Sequence, residues 1–206
     1  MFWRGLAFVP MDMAGRRGAS ERSGEGVEAP LRKFMQTVQP TGRERSFGRD
    51  EIIVSKTDTR GVITYANPVF LRLADLTEAE AVGAPHAVIR HPDMPRGVFK
   101  MLWDRVQAGQ EVFAYVVNMA RNGDHYWVLA HVTPTFDESG RICGYHSNRR
   151  APDRRAVEEI QGLYAEMRRV EDAAGGKASA AESSVAALTN LLAERGVTYD
   201  EYIFSR

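Results

Sequence analysis

A chain of 206 residues, 44% hydrophobic and 26% charged, is long enough for one domain with a substantial core and flanking segments. Its 27 basic and 27 acidic side chains balance, which excludes the strong net charge that would draw the whole chain to nucleic acid or a membrane surface. The one cysteine, Cys143, excludes an internal disulfide. No apolar run approaches the ~20 residues that span a bilayer, and no signal-peptide pattern is present. The sequence therefore predicts a soluble, cytoplasmic protein without membrane insertion.

Two segments precede the first predicted strand. Residues 1–30 are rich in Gly, Ser, Arg and Glu with little to bury, which predicts a disordered N-terminus. Residues 31–50 carry scattered apolar side chains and predict an N-terminal cap segment, for which a short helix is one form.

Residues 51–150 have the pattern of a folded domain. The run EIIVSKTD, a turn at Gly61 and the run VITYAN predict a β-hairpin. Short helices follow, one of them opened by a capping box in which Thr77 is the cap and Glu80 reaches back. From residue 95 to 108 apolar residues recur at spacings of three and four, which predicts an amphipathic helix that ends at Gly109.

Three further strands complete this domain. VFAYVVNM and DHYWVLAHVTPTF are joined through Asn122-Gly123, a strong hairpin signal, and a turn at 137–140 leads into RICGYHSNR. Two strands, several helices and a three-stranded meander predict an α+β fold, an antiparallel sheet with its helices on one face. The space between sheet and helices is the expected ligand site.

Helical patterns return after the last strand. Residues 151–172 predict a C-terminal signalling helix whose stripe, which includes Tyr164 and Met167, suits either a dimer or partner helix or packing back on the domain. Residues 173–179 predict a linker. Residues 180–206 predict a short helix, opened by a capping box of Ser179 and Glu182, followed by a tail.

Three strings, ITYANPVF, PHAVIRHPDMP and RNGDHYWV, resemble the PAS domain of bacterial aerotaxis receptors, a family that holds FAD without a covalent bond. The resemblance covers roughly residues 50–165 in the same order. It implies a PAS fold with a five-stranded antiparallel sheet, and a flavin-binding sensor of redox or oxygen status. Such a domain acts in signal transduction through contact with a signalling partner, with a homodimer as a further possibility.

The resemblance also implies a set of flavin-contacting positions where the strings match. The family has a tryptophan just after the glycine that ends the long helix, whereas this chain has Val112 there, with Phe113 beside it. Loss of that stacking partner would weaken flavin binding or shift its potential, and Phe113 could replace it only if the strand slipped by one residue. The implied positions are Asn67, His86, Arg90, His91, Asp93, Phe99, Trp103, Val112 and Asn118.

The residue types at these positions suit a flavin. An amide such as Asn118 offers a donor and an acceptor to the ring edge, and aromatic residues supply walls. Arg90 and His91 suit the phosphates, with Asp93 orienting one of them. Ordinary structural roles compete with these: Asn67 also fits as the cap of the helix at Pro68, and core packing explains the aromatic positions, more so for Phe99 than for Trp103.

Other functions are less well supported. The chain has no GxSxG, HExxH, CxxC, Walker or GxGxxG motif, and its five histidines lack the paired spacing of a metal site, so we expect no enzyme activity and no metal. The main alternative is a PAS interaction module without a ligand, which the valine at position 112 favours. Heme held through an axial histidine is a lesser variant.

Overall fold

The computed structural model of the protein describes residues 38–206. The predicted disordered segment 1–30 and the first part of the predicted cap, residues 31–37, therefore lie outside the described residues. Residues 38–50 contain no helix. They run in an extended form beside the start of the fourth strand, where the Thr41 amide donates to the Gly123 carbonyl at 2.9 Å and the Arg45 amide donates to the His125 carbonyl at 2.7 Å.

Five strands and six α-helices follow one another along the described chain. The first strands and helices are β1 (Ile53–Thr57), β2 (Ile63–Ala66), α1 (Pro68–Ala74), α2 (Glu78–Ala81), a 3₁₀ helix (His86–Ile89) and α3 (Arg96–Gln107). The meander consists of β3 (Val112–Met119), β4 (His125–Phe136) and β5 (Ile142–Arg150). The C-terminal helices are α4 (Arg154–Asp172), α5 (Lys177–Arg195) and α6 (Tyr199–Phe204).

The strands form one antiparallel sheet in the order β2-β1-β5-β4-β3, which confirms the predicted five-stranded α+β architecture. Side chains alternate between its faces. On one face of the sheet, the pairing register brings together Ser55, Asn118, Tyr126, Ser147 and Arg149. We call this the inner face. Helices α1 and α3 and the 3₁₀ helix meet this face, as the ring contact of Trp103 on α3 with Tyr145 shows.

Local signals in the sequence explain where these elements begin and end. The Asn67 side chain caps α1, and the capping box of Thr77 and Glu80 opens α2. Gly61 in the first hairpin and Gly109 after α3 have φ values of +80° and +81°, a region that glycine adopts without strain. The predicted hairpins and the predicted long helix are confirmed.

Two of the C-terminal helices, α4 and α6, cover the opposite, outer face of the sheet. The hydroxyl of Tyr164 on α4 donates to the Tyr115 carbonyl at 2.6 Å, and its ring lies 6.1 Å from that of Trp127. Tyr164 and Met167 are buried there. The predicted stripe is therefore confirmed, and of the two alternatives for it, packing back on the domain is the one that the structure shows.

Two boundaries in this region differ from the sequence expectation. The predicted capping box of Ser179 and Glu182 is wrong. Helix α5 begins earlier, at Lys177, and its N-cap is Gly176, which has no side chain to form a capping hydrogen bond. The connection between α4 and α5 therefore spans only residues 173–176. The predicted tail contains α6, opened by a capping box of Thr198 and Glu201. Helix α5 packs on both α3 and α4.

Candidate functional site

A buried guanidinium lies at the centre of the inner face. Arg149 on β5 is 4% exposed, and its Nη2 donates to Ser55 Oγ at 2.9 Å and to His86 Nε2 at 2.6 Å. Ser55 Oγ and His86 Nε2 are themselves 3.2 Å apart. The Phe70 ring of α1 borders this group, 5.7 Å from the guanidinium carbon. Strands β1 and β5, helix α1 and the 3₁₀ helix thus converge on one polar cluster.

This cluster carries a single positive charge. Burial and then the nearby Arg149 cation lower the pKa of His86 to about 3, so the imidazole is neutral and its Nε2 accepts from the guanidinium. Burial also lowers the pKa of Arg149 to about 10, which still leaves the guanidinium protonated at neutral pH.

Several polar atoms of the inner face have no hydrogen-bond partner among residues 38–206. They are Asn118 Nδ2, Tyr126 Oη, Ser147 Oγ and Arg149 Nη1. All four side chains are less than a tenth exposed, and a buried donor or acceptor without a partner is costly and rare. Two of the four atoms can only donate, and the two hydroxyls can donate or accept. The inner face therefore matches a ligand rich in acceptors, such as the carbonyl-bearing edge of a flavin ring.

Aromatic side chains border the same face. The half-buried Trp103 meets Tyr145 edge to face at 5.3 Å. Val112 is buried on the inner face opposite Val132, where it offers no stacking surface. Phe113 points to the outer face, where its ring stacks on that of His131 with the centroids 4.1 Å apart. The pairing of β3 with β4 has no register shift that would turn Phe113 to the inner face. It does not replace the missing tryptophan.

The loop after the 3₁₀ helix holds three of the predicted site residues. The Arg90 guanidinium lies 4.4 Å from the Phe99 ring centroid and donates to the Met94 carbonyl, and its backbone bridges to that of Asn118. His91 is buried, and its Nδ1 accepts from the Asp93 amide at 3.1 Å. Burial lowers the pKa of His91, which fits a neutral imidazole.

Asp93 points away from Arg90, contrary to one of the roles expected for it. Its Oδ1 accepts from Arg168 Nη1 on α4 at 2.5 Å, while its Oδ2 lies 3.9 Å from His91 Nδ1. A second link joins the same region to α4, because the buried Glu171 carboxylate accepts from the Gly97 amide at 3.0 Å in the first turn of α3. The loop and the start of α3 are therefore linked to α4 at two points.

Two cavities flank this loop. The larger, about 1010 Å³, is lined by Arg90 and His91 together with Arg96, Arg168 and Lys177. The smaller, about 330 Å³, lies between the loop and the outer face. Neither is lined by Asn118, Trp103 or Arg149. Because Arg90 lines the larger cavity and bridges to Asn118, the loop separates that cavity from the inner face.

Asn67 lies apart from these groups. Its Oδ1 accepts from the amides of Phe70 and Val54, each at 3.0 Å, and its Nδ2 donates to the Ile52 carbonyl at 2.8 Å. The capping role is confirmed, and the amide is taken up by the backbone.

The positions predicted for the site did not include the inner-face residues Ser55, Tyr126, Ser147 and Arg149. A signal for two of them was present, since alternation along GYHSNRR places Ser147 and Arg149 on one face of β5. Their partners come from elements distant in sequence, which alternation does not reveal. No group of His, Cys, Asp and Glu side chains within residues 38–206 has the arrangement of a metal site.

Comparison with known proteins agrees with the fold. The family model of the PAS fold matches residues 63–149. The chain is 37% identical to the aerotaxis receptor of Escherichia coli (strain K12) over 115 residues, 56% of this chain and 22% of the receptor. It is 29% identical to a nitrogen fixation regulatory protein of Klebsiella pneumoniae over 46% of this chain and 19% of that protein. The chain thus spans about a fifth of the length of these curated relatives.

Among solved structures, a light-oxygen-voltage domain superposes with a TM-score of 0.48 and 15% identity, over 56% of this chain and 86% of that one. The family assignment does not depend on that likeness. The family match over residues 63–149 and the five-stranded antiparallel sheet agree on the class of fold, that of a PAS domain. By sequence, this region is similar to part of the aerotaxis receptor of Escherichia coli. Within residues 38–206, no helix combines the length and the apolar character needed to cross a membrane.

Proposed function

We propose that this PAS domain binds FAD non-covalently on the inner face of its sheet and reports redox or oxygen status to a signalling partner in the cytoplasm. One observation carries the proposal: four buried polar atoms, on Asn118, Tyr126, Ser147 and Arg149, lack partners on a single face. Ring carbonyls would satisfy them. The name of one relative, aerotaxis receptor, supports the same sensory role.

A bound flavin would supply reversible uptake of electrons, with a change in the charge of its ring edge. The Asn118 amide and the free Arg149 Nη1 would donate to ring acceptors, and Trp103 would form part of the wall. The larger cavity is bordered by the neutral His91 and by four basic groups, Arg90, Arg96, Arg168 and Lys177. Glu171 and Asp172 also line it, so its lining keeps a net positive charge, which would suit the phosphates of FAD.

The route from the ligand to the surface would pass through the loop of Arg90, His91 and Asp93. Because the Arg90 backbone bridges to Asn118, a reorientation of that amide would shift the loop. The Asp93–Arg168 pair and the Gly97–Glu171 hydrogen bond would carry the shift to α4. Helix α4 covers the outer face, so a change in its packing would alter the surface that a partner meets.

The purified protein is expected to be yellow, with the absorption bands of an oxidised flavin that bleach when dithionite is added. Heat-released cofactor is expected to co-elute with FAD on chromatography, which distinguishes it from FMN. A preparation that is colourless, and that remains so after incubation with FAD and gel filtration, would contradict the proposal. A Soret band would instead identify heme.

One observation favours a second function, a PAS interaction module without a ligand. Val112 offers no stacking surface on the inner face, and Phe113 points to the other side of the sheet. The same reconstitution experiment separates the two functions, because an interaction module would take up no flavin.

A further inference from the structure

Among residues 38–206, no acidic group balances the charge of Arg149. None of the ion pairs formed within residues 38–206 includes this residue. Its hydrogen-bond partners are the neutral Ser55 hydroxyl and the neutral His86 imidazole, both bound by Nη2, and the Phe70 ring lies 5.7 Å from the guanidinium carbon. Nη1 has no hydrogen-bond partner in the described part of the chain. A buried cation in this state is costly, because water is lost and no anion replaces it.

Packing alone does not explain an arginine here. Ile53 lies directly opposite Arg149 on β1, and Ala130 lies opposite it on β4, so its neighbours in the sheet are apolar. A nonpolar side chain of similar length would fill the same space without the desolvation cost. What the guanidinium adds is a buried positive charge close to Tyr126, with one unpartnered donor, Nη1, that can bind a ligand.

We infer that Arg149 is the residue that sets the redox preference of this site, because it holds the more negatively charged form of the bound flavin more tightly than the oxidised form. The inference rests on the proposed flavin function and deepens it. A flavin that takes up two electrons and one proton from a donor gains one negative charge. The buried guanidinium favours that charge through a hydrogen bond between ionised groups in a medium of low dielectric constant.

The experiment compares Arg149→Met with Arg150→Met. Both variants remove one positive charge from neighbouring positions of β5, but Arg150 is exposed on the outer face. Midpoint potentials are measured on the flavin-loaded full chain by dithionite titration against a reference dye. Thermal unfolding of the flavin-free proteins is measured in parallel, as a readout that separates a structural role from an electrostatic one.

For Arg149→Met we expect the ratio of affinities for reduced and oxidised flavin to fall about tenfold or more, which lowers the midpoint potential of a two-electron couple by about 30 mV per factor of ten. Arg150→Met is expected to leave the potential unchanged. The flavin-free Arg149→Met protein is expected to melt no lower than wild type, since a buried unpaired charge has been removed.

Ser147→Asp keeps the test decisive if the methionine variant fails to fold. Ser147 is paired directly opposite Ser55, whose hydroxyl contacts Arg149, so a carboxylate there would neutralise the guanidinium from within the protein and also lower the potential. A wild-type potential in both folded variants overturns the inference, as does a large drop in flavin-free stability of Arg149→Met with no change in potential. If the wild-type chain takes up no flavin, the proposed function fails first, and the inference fails with it.

Discussion

Replacing Asn118 with leucine is expected to weaken flavin binding about 10- to 100-fold, because the ligand loses one or two hydrogen bonds to a buried amide. The flavin-free protein is expected to be as stable as wild type or slightly more stable. This follows because Asn118 Nδ2 has no partner within residues 38–206, so leucine removes an unsatisfied donor from the core. Affinity is measured by quenching of flavin fluorescence, and stability by urea unfolding.

Asn148→Leu is the matched control for this change. Asn148 lies on β5 with its side chain on the outer face, opposite His131, so the same substitution there is expected to leave flavin affinity unchanged. Retention of wild-type affinity by the Asn118 variant would show that the inner-face amide does not contact the ligand, and the proposed site would be wrong.

Replacing Asn67 with alanine is expected to show the opposite pattern, a loss of about 2–3 kcal/mol in the free energy of unfolding with little change in the intrinsic flavin affinity of the folded protein. Three backbone hydrogen bonds disappear together: those with Phe70, Val54 and Ile52. They hold the start of α1 against β1. Urea unfolding with a flavin titration at low denaturant separates the two quantities.

Asn67→Asp distinguishes these bonds from one another. Aspartate keeps the acceptor for the Phe70 and Val54 amides and loses only the donor to the Ile52 carbonyl, so its loss of stability is expected to be less than half that of alanine. An alanine variant of unchanged stability that no longer binds flavin would instead mean that Asn67 contacts the ligand directly.

The contrast between these two asparagines shows how far the sequence alone reaches. The cap at Asn67 follows from local chemistry, since Asn before Pro at the start of a helix is a common pattern. The role of Asn118 needs the register of β3 on β4, which the Asn122-Gly123 hairpin makes predictable. Local signals of this kind were sufficient for the hairpins, whereas the pairing of β1 with β5 joins segments far apart in the chain.

The C-terminal region was harder to predict for a physical reason. A helix with one apolar stripe looks the same in sequence whether the stripe meets its own sheet or another chain. The hydrogen bonds that decide between them, from Tyr164 to the Tyr115 carbonyl and from Tyr199 to the Phe113 carbonyl, join residues far apart in the chain. For the same reason the contacts of Arg149 with Ser55 and His86 were not foreseen.

The side-chain amide of Asn118 provides the most direct test that the inner face holds the flavin. Its two N–H resonances are assigned in the NMR spectrum of the flavin-free protein by their disappearance in Asn118→Leu, and FAD is then added to the wild-type chain. If the flavin lies on the inner face, these resonances are expected to shift strongly while those of Asn148 stay in place. Shifts confined to residues that line the two loop cavities, with the Asn118 amide unmoved, would contradict this placement.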